Sequence, residues 1–275
     1  MCQYLRLFDR EHLVKVHHEA KDSIPSPTPR LAPAEDHPRN PFADARVAIT
    51  GGTSGLGLAL VRELLNRGAR VAFVARRRDG VEQVGQELPD AHGIVGDVSR
   101  KEDIHPITMQ IVGALGGLDV LINNASDLGP VPLKLLADTE CEDLGRALAT
   151  NVFGPFRLTK ALLGSLAASA REGRGAVVVN VSSDAALNAY PRWGAYGASK
   201  AALLHLSRIW DEELSQEGVR ILSIDPGDMD TPMHAAAVPD ADNSALKPPE
   251  VAARELADGV ATVLSRRPIV QEAIA

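Results

Sequence analysis

The stretch Thr50-Gly51-Gly52-Thr53-Ser54-Gly55-Leu56-Gly57 decides the fold. It follows directly on the apolar run at 47–49 and leads at once into a helical pattern over 56–66. Glycines at a strand–helix junction let the chain turn tightly, let backbone N–H groups approach an anion, and let the helix pack close to the sheet. The free N–H groups and dipole of the helix N-terminus then favour a pyrophosphate. A glycine cluster alone is weak evidence, because many turns need glycine only for geometry. Its place at the first strand–helix junction is the confirming context. Gly51, Thr53, Ser54, Gly55, Leu56 and Gly57 are therefore the candidate phosphate contacts.

Outward from this turn the chain alternates. Short β-branched or apolar runs occur at 47–49, 70–75, 93–95, 119–122, 176–181 and 219–224, with helical stretches at 56–66, 80–88, 101–115, 140–171 and 195–216 between them. A last helix is expected over 249–264. Strands without polar alternation, separated by helix-length segments, indicate a parallel sheet buried on both faces. The fold class is α/β: a single Rossmann-type doubly wound parallel sheet flanked by helices. Residues 1–43 differ in character. They hold six of the 18 prolines, and closely spaced prolines block helix and remove backbone donors. They read as a Pro-rich, disordered N-terminal tail, leaving 44–275 as the catalytic domain.

Composition excludes several classes. Hydrophobic residues are 45% and charged residues 24% of 275, ordinary for a globular protein with a large core. No apolar run approaches the about 20 residues that a membrane-spanning helix needs. The N-terminus mixes acidic with basic residues and has no uninterrupted apolar segment, so neither a secretory nor a transit signal is expected. A net charge of −7 argues against a nucleic-acid binder. Two cysteines cannot build a disulfide framework, and the eight histidines form no ligand set, so no metal is expected. The expected location is the cytoplasm.

Further motifs follow in order. Asn123-Asn124-Ala125 ends the fourth strand, Asn151 lies in the long helix, Ser182-Ser183 ends the fifth strand, Tyr196-Gly197-Ala198-Ser199-Lys200 opens the next helix, and Pro226-Gly227 ends the sixth strand. With the Gly-x-x-x-Gly-x-Gly turn, this order resembles the short-chain dehydrogenase/reductase family from about residue 44 to 263. A lone Tyr-x-x-x-Lys would be common by chance; five ordered motifs would not. The resemblance implies an NAD(P)-dependent oxidoreductase acting on a small-molecule carbonyl or alcohol, working as a homodimer or homotetramer.

The cofactor choice turns on the end of the second strand, where Arg76-Arg77-Arg78 follows Ala75. An acidic residue there would bind the ribose hydroxyls of NAD, whereas arginine pairs with the 2′-phosphate of NADP. NADP(H) is favoured over NAD(H), with Arg76 and Arg77 as contacts. The resemblance further implies that Asp97 and Val98 contact adenine, that Asn123 and Ala125 line the cofactor cleft, and that Pro226, Gly227 and Thr231 close over the nicotinamide. Ser126 stands where the family usually has glycine.

Tyr196 and Lys200, four apart, share one helix face. A nearby ammonium is expected to lower the phenol from its ordinary value of about 10. The resemblance then assigns Ser183 to orient the substrate carbonyl, Tyr196 to transfer the proton, Lys200 to hold the nicotinamide ribose, and Asn151 to carry a water that links Lys200 to solvent. Tyr190, Trp193, Met229, Met233 and His234 are candidates for the substrate side. The C-terminal stretch 269–275 could form only a short, atypical last strand. The competing reading is an NADP(H)-binding redox sensor or scaffold that recruits a partner through its tail.

Overall fold

The computed structural model describes residues 40–265. The expected tail up to residue 39 and the expected short strand at 269–275 lie outside the described residues. Six strands, β1 (Arg46–Thr50), β2 (Arg70–Ala75), β3 (Ala91–Val95), β4 (Val120–Asn123), β5 (Ala176–Val181) and β6 (Val219–Ile224), pair in parallel in the order β3-β2-β1-β4-β5-β6. Eight helices accompany them among the described residues: α1 (Gly55–Asn66), α2 (Arg78–Glu87), α3 (Lys101–Leu115), α4 (Cys141–Leu148), α5 (Gly154–Arg171), α6 (Gly194–Leu214), α7 (Pro232–Ala237) and α8 (Pro249–Leu264).

The sheet is covered on both faces, which is why its strands lack polar alternation. Val47 and Ile49 of β1 pack in one apolar layer with Leu60 and Leu64 of α1 and Leu256 and Val260 of α8. Ala48, between them, points into the opposite layer with Ile107 and Ile111 of α3 and Leu158 and Leu162 of α5. The chain runs from β1 outward to β3, then returns to β4 on the other side of β1. That reversal opens a crevice at the C-terminal ends of β1 and β4. Thr50 Oγ1 locks the two strand ends together there, accepting from the N–H groups of Asn124 and Ala125, each at 3.0 Å.

At the opposite end of the sheet Asp119 is 1% exposed. Its carboxylate accepts from the Arg46 guanidinium at 2.6 Å, the Arg46 N–H at 2.8 Å, Arg174 at 2.9 Å and the Ser169 hydroxyl. Burial alone would raise its pKa; the hydrogen bonds from Arg46, Arg174 and Ser169 win and hold it at about 2.

One expectation sharpens and one changes. The helical stretch 140–171, for which the resemblance implied an interruption at residues 151–155, is two helices, α4 and α5, joined by a wide π turn at Ala149–Phe153. Pro155 sits in the first turn of α5, where its missing N–H costs nothing, so it marks the restart of the helix. The packed domain also reaches back past the boundary at residue 44. Phe42 is 1% exposed inside the α1/α8 layer, the Arg67 guanidinium lies 5.7 Å from its ring, and the Asn40 amide donates to Arg67 O at 2.6 Å. One buried aromatic is enough to pin this segment despite its prolines.

Candidate active site

A cleft of about 910 Å³ runs along the C-terminal ends of the strands, from the glycine turn to α7. Gly51, Thr53, Ser54, Gly55, Leu56 and Gly57 line one end. Gly51 and Gly55 hold φ of +73° and +50°, and a Cβ at Gly57 would collide with the Gly51 carbonyl. Ser54 is the N-cap of α1, yet its side chain makes no capping bond, so the first N–H groups of the helix have no side-chain partner. Glycine-only backbone beside an uncapped helix N-terminus fits the pyrophosphate of a dinucleotide.

Arg76 and Arg77 line the cleft beyond β2, whereas Arg78 turns away toward Glu82 at 3.9 Å. Arg77 is the N-cap of α2, and its nearest carboxylate, Asp79, is 4.0 Å away. Among the described residues Arg76 makes no ion pair. Two poorly paired cations at the positive end of a helix are unfavourably placed unless an anion joins them. Asp97 and Val98 also line the cleft. Asp97 Oδ1 accepts from both the N–H and the hydroxyl of Ser99, at 2.9 and 2.7 Å, so it shapes its own turn as well.

Asn123 departs from the expectation. It is 3% exposed and donates to Asn180 Oδ1 at 2.8 Å and Thr159 Oγ1 at 3.3 Å, beneath the cleft. The side chain at the cleft is Asn124, which donates to the carbonyls of Thr50 and Gly51 at 2.9 and 3.3 Å and so braces the glycine turn. Successive side chains at a strand end point to opposite sides, and a one-residue slip reverses them. Ala125 lies in the cleft as expected.

Tyr196, Lys200 and Ser183 converge in the middle of the cleft. Tyr196 is 8% and Lys200 2% exposed. The expected lowering of the phenol does not occur. Burial pushes Tyr196 up to about 12; the Ser183 and Ser126 hydroxyls pull the other way, while the charges of Asp225 and Asp184 push further up. The Lys200 ammonium is over the ring, 5.4 Å from its centroid, and donates to Val181 O at 2.8 Å. Burial pulls the amine itself down to about 8, offset in part by Asp225.

Asn151 sits in the π turn, 1% exposed and outside the cleft lining. Its Oδ1 accepts from Asp127 N–H at 2.8 Å and the Ser126 hydroxyl at 3.2 Å, and its Nδ2 donates to Asp127 O and Ser199 Oγ, both at 2.8 Å. The amide is fully engaged. It ties the loop after β4 to α6, one residue before Lys200, and its side chain has no capacity left for a water. π turns recur at functional positions because they re-aim a side chain within a continuous helix.

Pro226, Gly227 and Thr231 close the far wall. Asp225 Oδ1 accepts from Gly227 N–H at 2.9 Å, and Thr231 caps α7 by accepting from His234 N–H at 3.2 Å. The segment is anchored to the strand-like residue Lys247 through Asp230 N–H and Asp228 O. Tyr190, Trp193, Met229, Met233 and His234 all face the cleft, with the Trp193 and Tyr196 rings edge to face at 5.7 Å. His234 Nδ1 is buried and without a hydrogen-bond partner. Ser126 and Asp184, the first residue of the loop 184–194 expected to line the substrate pocket, also border the cleft, as do Asn124 and Asp225, which the sequence reading did not select.

A family model described as short chain dehydrogenase matches residues 45–242. The chain belongs to the short-chain dehydrogenases. An uncharacterized oxidoreductase of Thermotoga maritima is 36% identical to this short-chain dehydrogenase over 190 residues, 68% of this chain and 72% of the relative. The solved structure of 3-ketoacyl-(acyl-carrier-protein) reductase from Brucella melitensis, complexed with NADH, is 25% identical with a TM-score of 0.74, over 82% of this chain and 92% of that one. An alcohol dehydrogenase from Thermococcus sibiricus, complexed with 5-hydroxy-NADP, is 26% identical with a TM-score of 0.70, over 78% and 90%. The short-chain dehydrogenase described here is thus an oxidoreductase of alcohol and carbonyl groups, with a fold that binds a nicotinamide dinucleotide. No helix among its described residues is long and apolar enough to cross a membrane.

Proposed function

We propose that this short-chain dehydrogenase uses NADPH to reduce a ketone or aldehyde to an alcohol, or runs the reverse reaction, with Tyr196 as general acid and base. The observation that carries the reading is the convergence of Tyr196, Ser183 and Lys200 midway between a dinucleotide-shaped glycine turn and an apolar-sided cleft. When bound, the nicotinamide supplies or accepts the hydride. The glycine turn would hold the pyrophosphate, Arg76 and Arg77 the 2′-phosphate, Lys200 the ribose, and Pro226, Gly227 and Thr231 the nicotinamide end.

The chain's own residues handle the proton. Ser183 donates a hydrogen bond to the carbonyl oxygen and orients it. A phenol at about 12 is fully protonated at neutral pH, which equips Tyr196 to give its proton to a developing alkoxide. Lys200, at about 8, can exchange protons near neutrality and restore the phenol. With the Asn151 amide saturated, a water on this path would rest on backbone oxygen. Phe153 and Phe156 on one side and Ile209 on α6 are exposed apolar residues, and Phe156 stacks on Trp210 at 5.2 Å. They support a second copy docking through α5 and α6.

The test is turnover of NADPH and, separately, NADH against a panel of aldehydes, ketones and diketones, with Tyr196→Phe alongside. Substrate-dependent oxidation of NADPH that collapses in the variant supports the reading. Preferential use of NADH overturns the arginine assignment. No turnover in the wild type overturns the reductase reading.

A further inference from the structure

At the mouth of the cleft Asp184 and Tyr190 form a pair that the chemistry above leaves unused. The Tyr190 hydroxyl donates to Asp184 Oδ2 at 2.6 Å. The other carboxylate oxygen, Oδ1, accepts from Ser183 Oγ at 3.2 Å. Ser183 Oγ also accepts from Ala185 N–H at 3.2 Å, because Ser183 caps the single helical turn Asp184–Ala186. Among the described residues no cation pairs with Asp184. An exposed carboxylate with no cation is ordinarily left to water; this one is held on both oxygens, by a phenol on one side and the reacting serine on the other.

A serine hydroxyl has one proton and two lone pairs. With one lone pair on Ala185 N–H, the other lies beside the Tyr196 phenol, and the proton rests on Asp184 until a substrate carbonyl oxygen takes it over. We propose that Asp184, clamped by Tyr190, is a positioning residue: it selects the Ser183 rotamer that meets Tyr196. The proposal rests on the assignment of Ser183 and Tyr196 given above. The groups that face the phenol are the Ser183 and Ser126 hydroxyls, the Asp225 and Asp184 carboxylates and the Lys200 ammonium. Asp184 is the one member of this set that also touches Ser183.

Three variants of the full chain separate the hydrogen bond that Asp184 makes from the charge it carries. Asp184→Asn keeps an acceptor for Ser183 and removes the charge. Asp184→Ala removes both, and Tyr190→Phe removes only the clamp. With NADPH and the carbonyl that the wild type reduces fastest in the panel, Asp184→Asn keeps kcat within about threefold and moves the alkaline limb of the pH profile to lower pH. Asp184→Ala shows the same pH shift with kcat about tenfold down and KM little changed, as loss of orientation predicts. Tyr190→Phe lowers kcat without moving the pH limb.

A second readout needs no substrate. The chain has three tyrosines, so 13Cζ-tyrosine spectra assigned by Phe replacement follow each one. The hydrogen bond to the Asp184 carboxylate holds the Tyr190 phenol above its ordinary value, with Asp228 adding to the rise and Asn188 opposing it, and Tyr190 falls toward that value in Asp184→Asn. Tyr190 titrating normally in the wild type overturns the clamp. Unchanged kcat, KM and pH profile in Asp184→Ala overturn the positioning role while leaving the reductase reading intact. A wild type inactive on the whole panel overturns that reading instead, and the Tyr190 titration still decides the clamp.

Discussion

The Lys200 ammonium lies over the Tyr196 ring, 5.4 Å from its centroid, with one of its three protons donated to the Val181 carbonyl at 2.8 Å. The pair therefore shares burial more than it shares a proton. Burial drives the two groups in opposite senses, the phenol up to about 12 and the amine down to about 8. Both shifts move toward the neutral forms, but at neutral pH only the amine is charged, so the free-energy cost of this burial falls on Lys200.

That cost is measurable for Lys200. Its folded value, about 8, lies below the usual 10.5, so the unfolded chain binds the proton more tightly. The penalty is full below about 8 and is relieved as pH rises toward 10.5. Lys200→Met should raise unfolding stability at neutral pH by on the order of 1–2 kcal/mol while lowering turnover by about 10²-fold or more. Urea unfolding and steady-state assays check both halves; a destabilised variant would contradict the account.

Asp119 has the opposite sign. Its folded value, about 2, lies below the usual 3.8, so its ion pairs with Arg46 and Arg174 stabilise fully above 3.8 and are lost as pH falls through about 2. The contribution is about 2 kcal/mol. Urea midpoints of the wild type should fall across that window more steeply than those of Asp119→Asn. Parallel curves would show that the network contributes nothing specific.

Asn151→Ala should act on structure and catalysis together. It leaves the Asp127 backbone groups and the Ser199 hydroxyl short of partners, at about 1–3 kcal/mol for each group that stays buried. The loop carrying Ser126 then loosens beside Tyr196, and kcat falls with little change in KM. An unchanged melting temperature would contradict the network.

For Arg76 and Arg77, replacement of both by Ser should raise the KM for NADPH by about tenfold or more and leave NADH kinetics nearly unchanged. Equal losses with both cofactors would mean that the arginines support the loop and do not read a phosphate.

Much of this was legible in the chain. The glycine turn, the unalternating strands and the Tyr196/Lys200 spacing report local geometry, and local geometry is what residue pattern encodes. Asn123 and Asn124 were harder: adjacent, identical side chains at a strand end differ only in which way the last pleat points. Phe42 was hidden by its prolines, because burial of one aromatic depends on the groove beside α1. An interruption after Asn151 was readable from Gly154-Pro155, but the hydrogen bonds of the Asn151 amide depend on partners from the β4 loop and α6, far away in sequence. The high phenol value of Tyr196 was unreadable for the same reason. Spacing brings an ammonium near, but only packing shows that it sits over the ring and that two carboxylates face the oxygen.

The most direct test of the central claim is hydride transfer itself. NADPH carrying deuterium at both hydrogen positions of nicotinamide C4 would be incubated with the best carbonyl of the panel, and the product alcohol examined by mass spectrometry, for the wild type and Tyr196→Phe. The account predicts one deuterium on the carbinol carbon from the wild type and a rate lower by about 10²-fold or more in the variant. Alcohol formed without deuterium, or at an undiminished rate without the phenol, would contradict it.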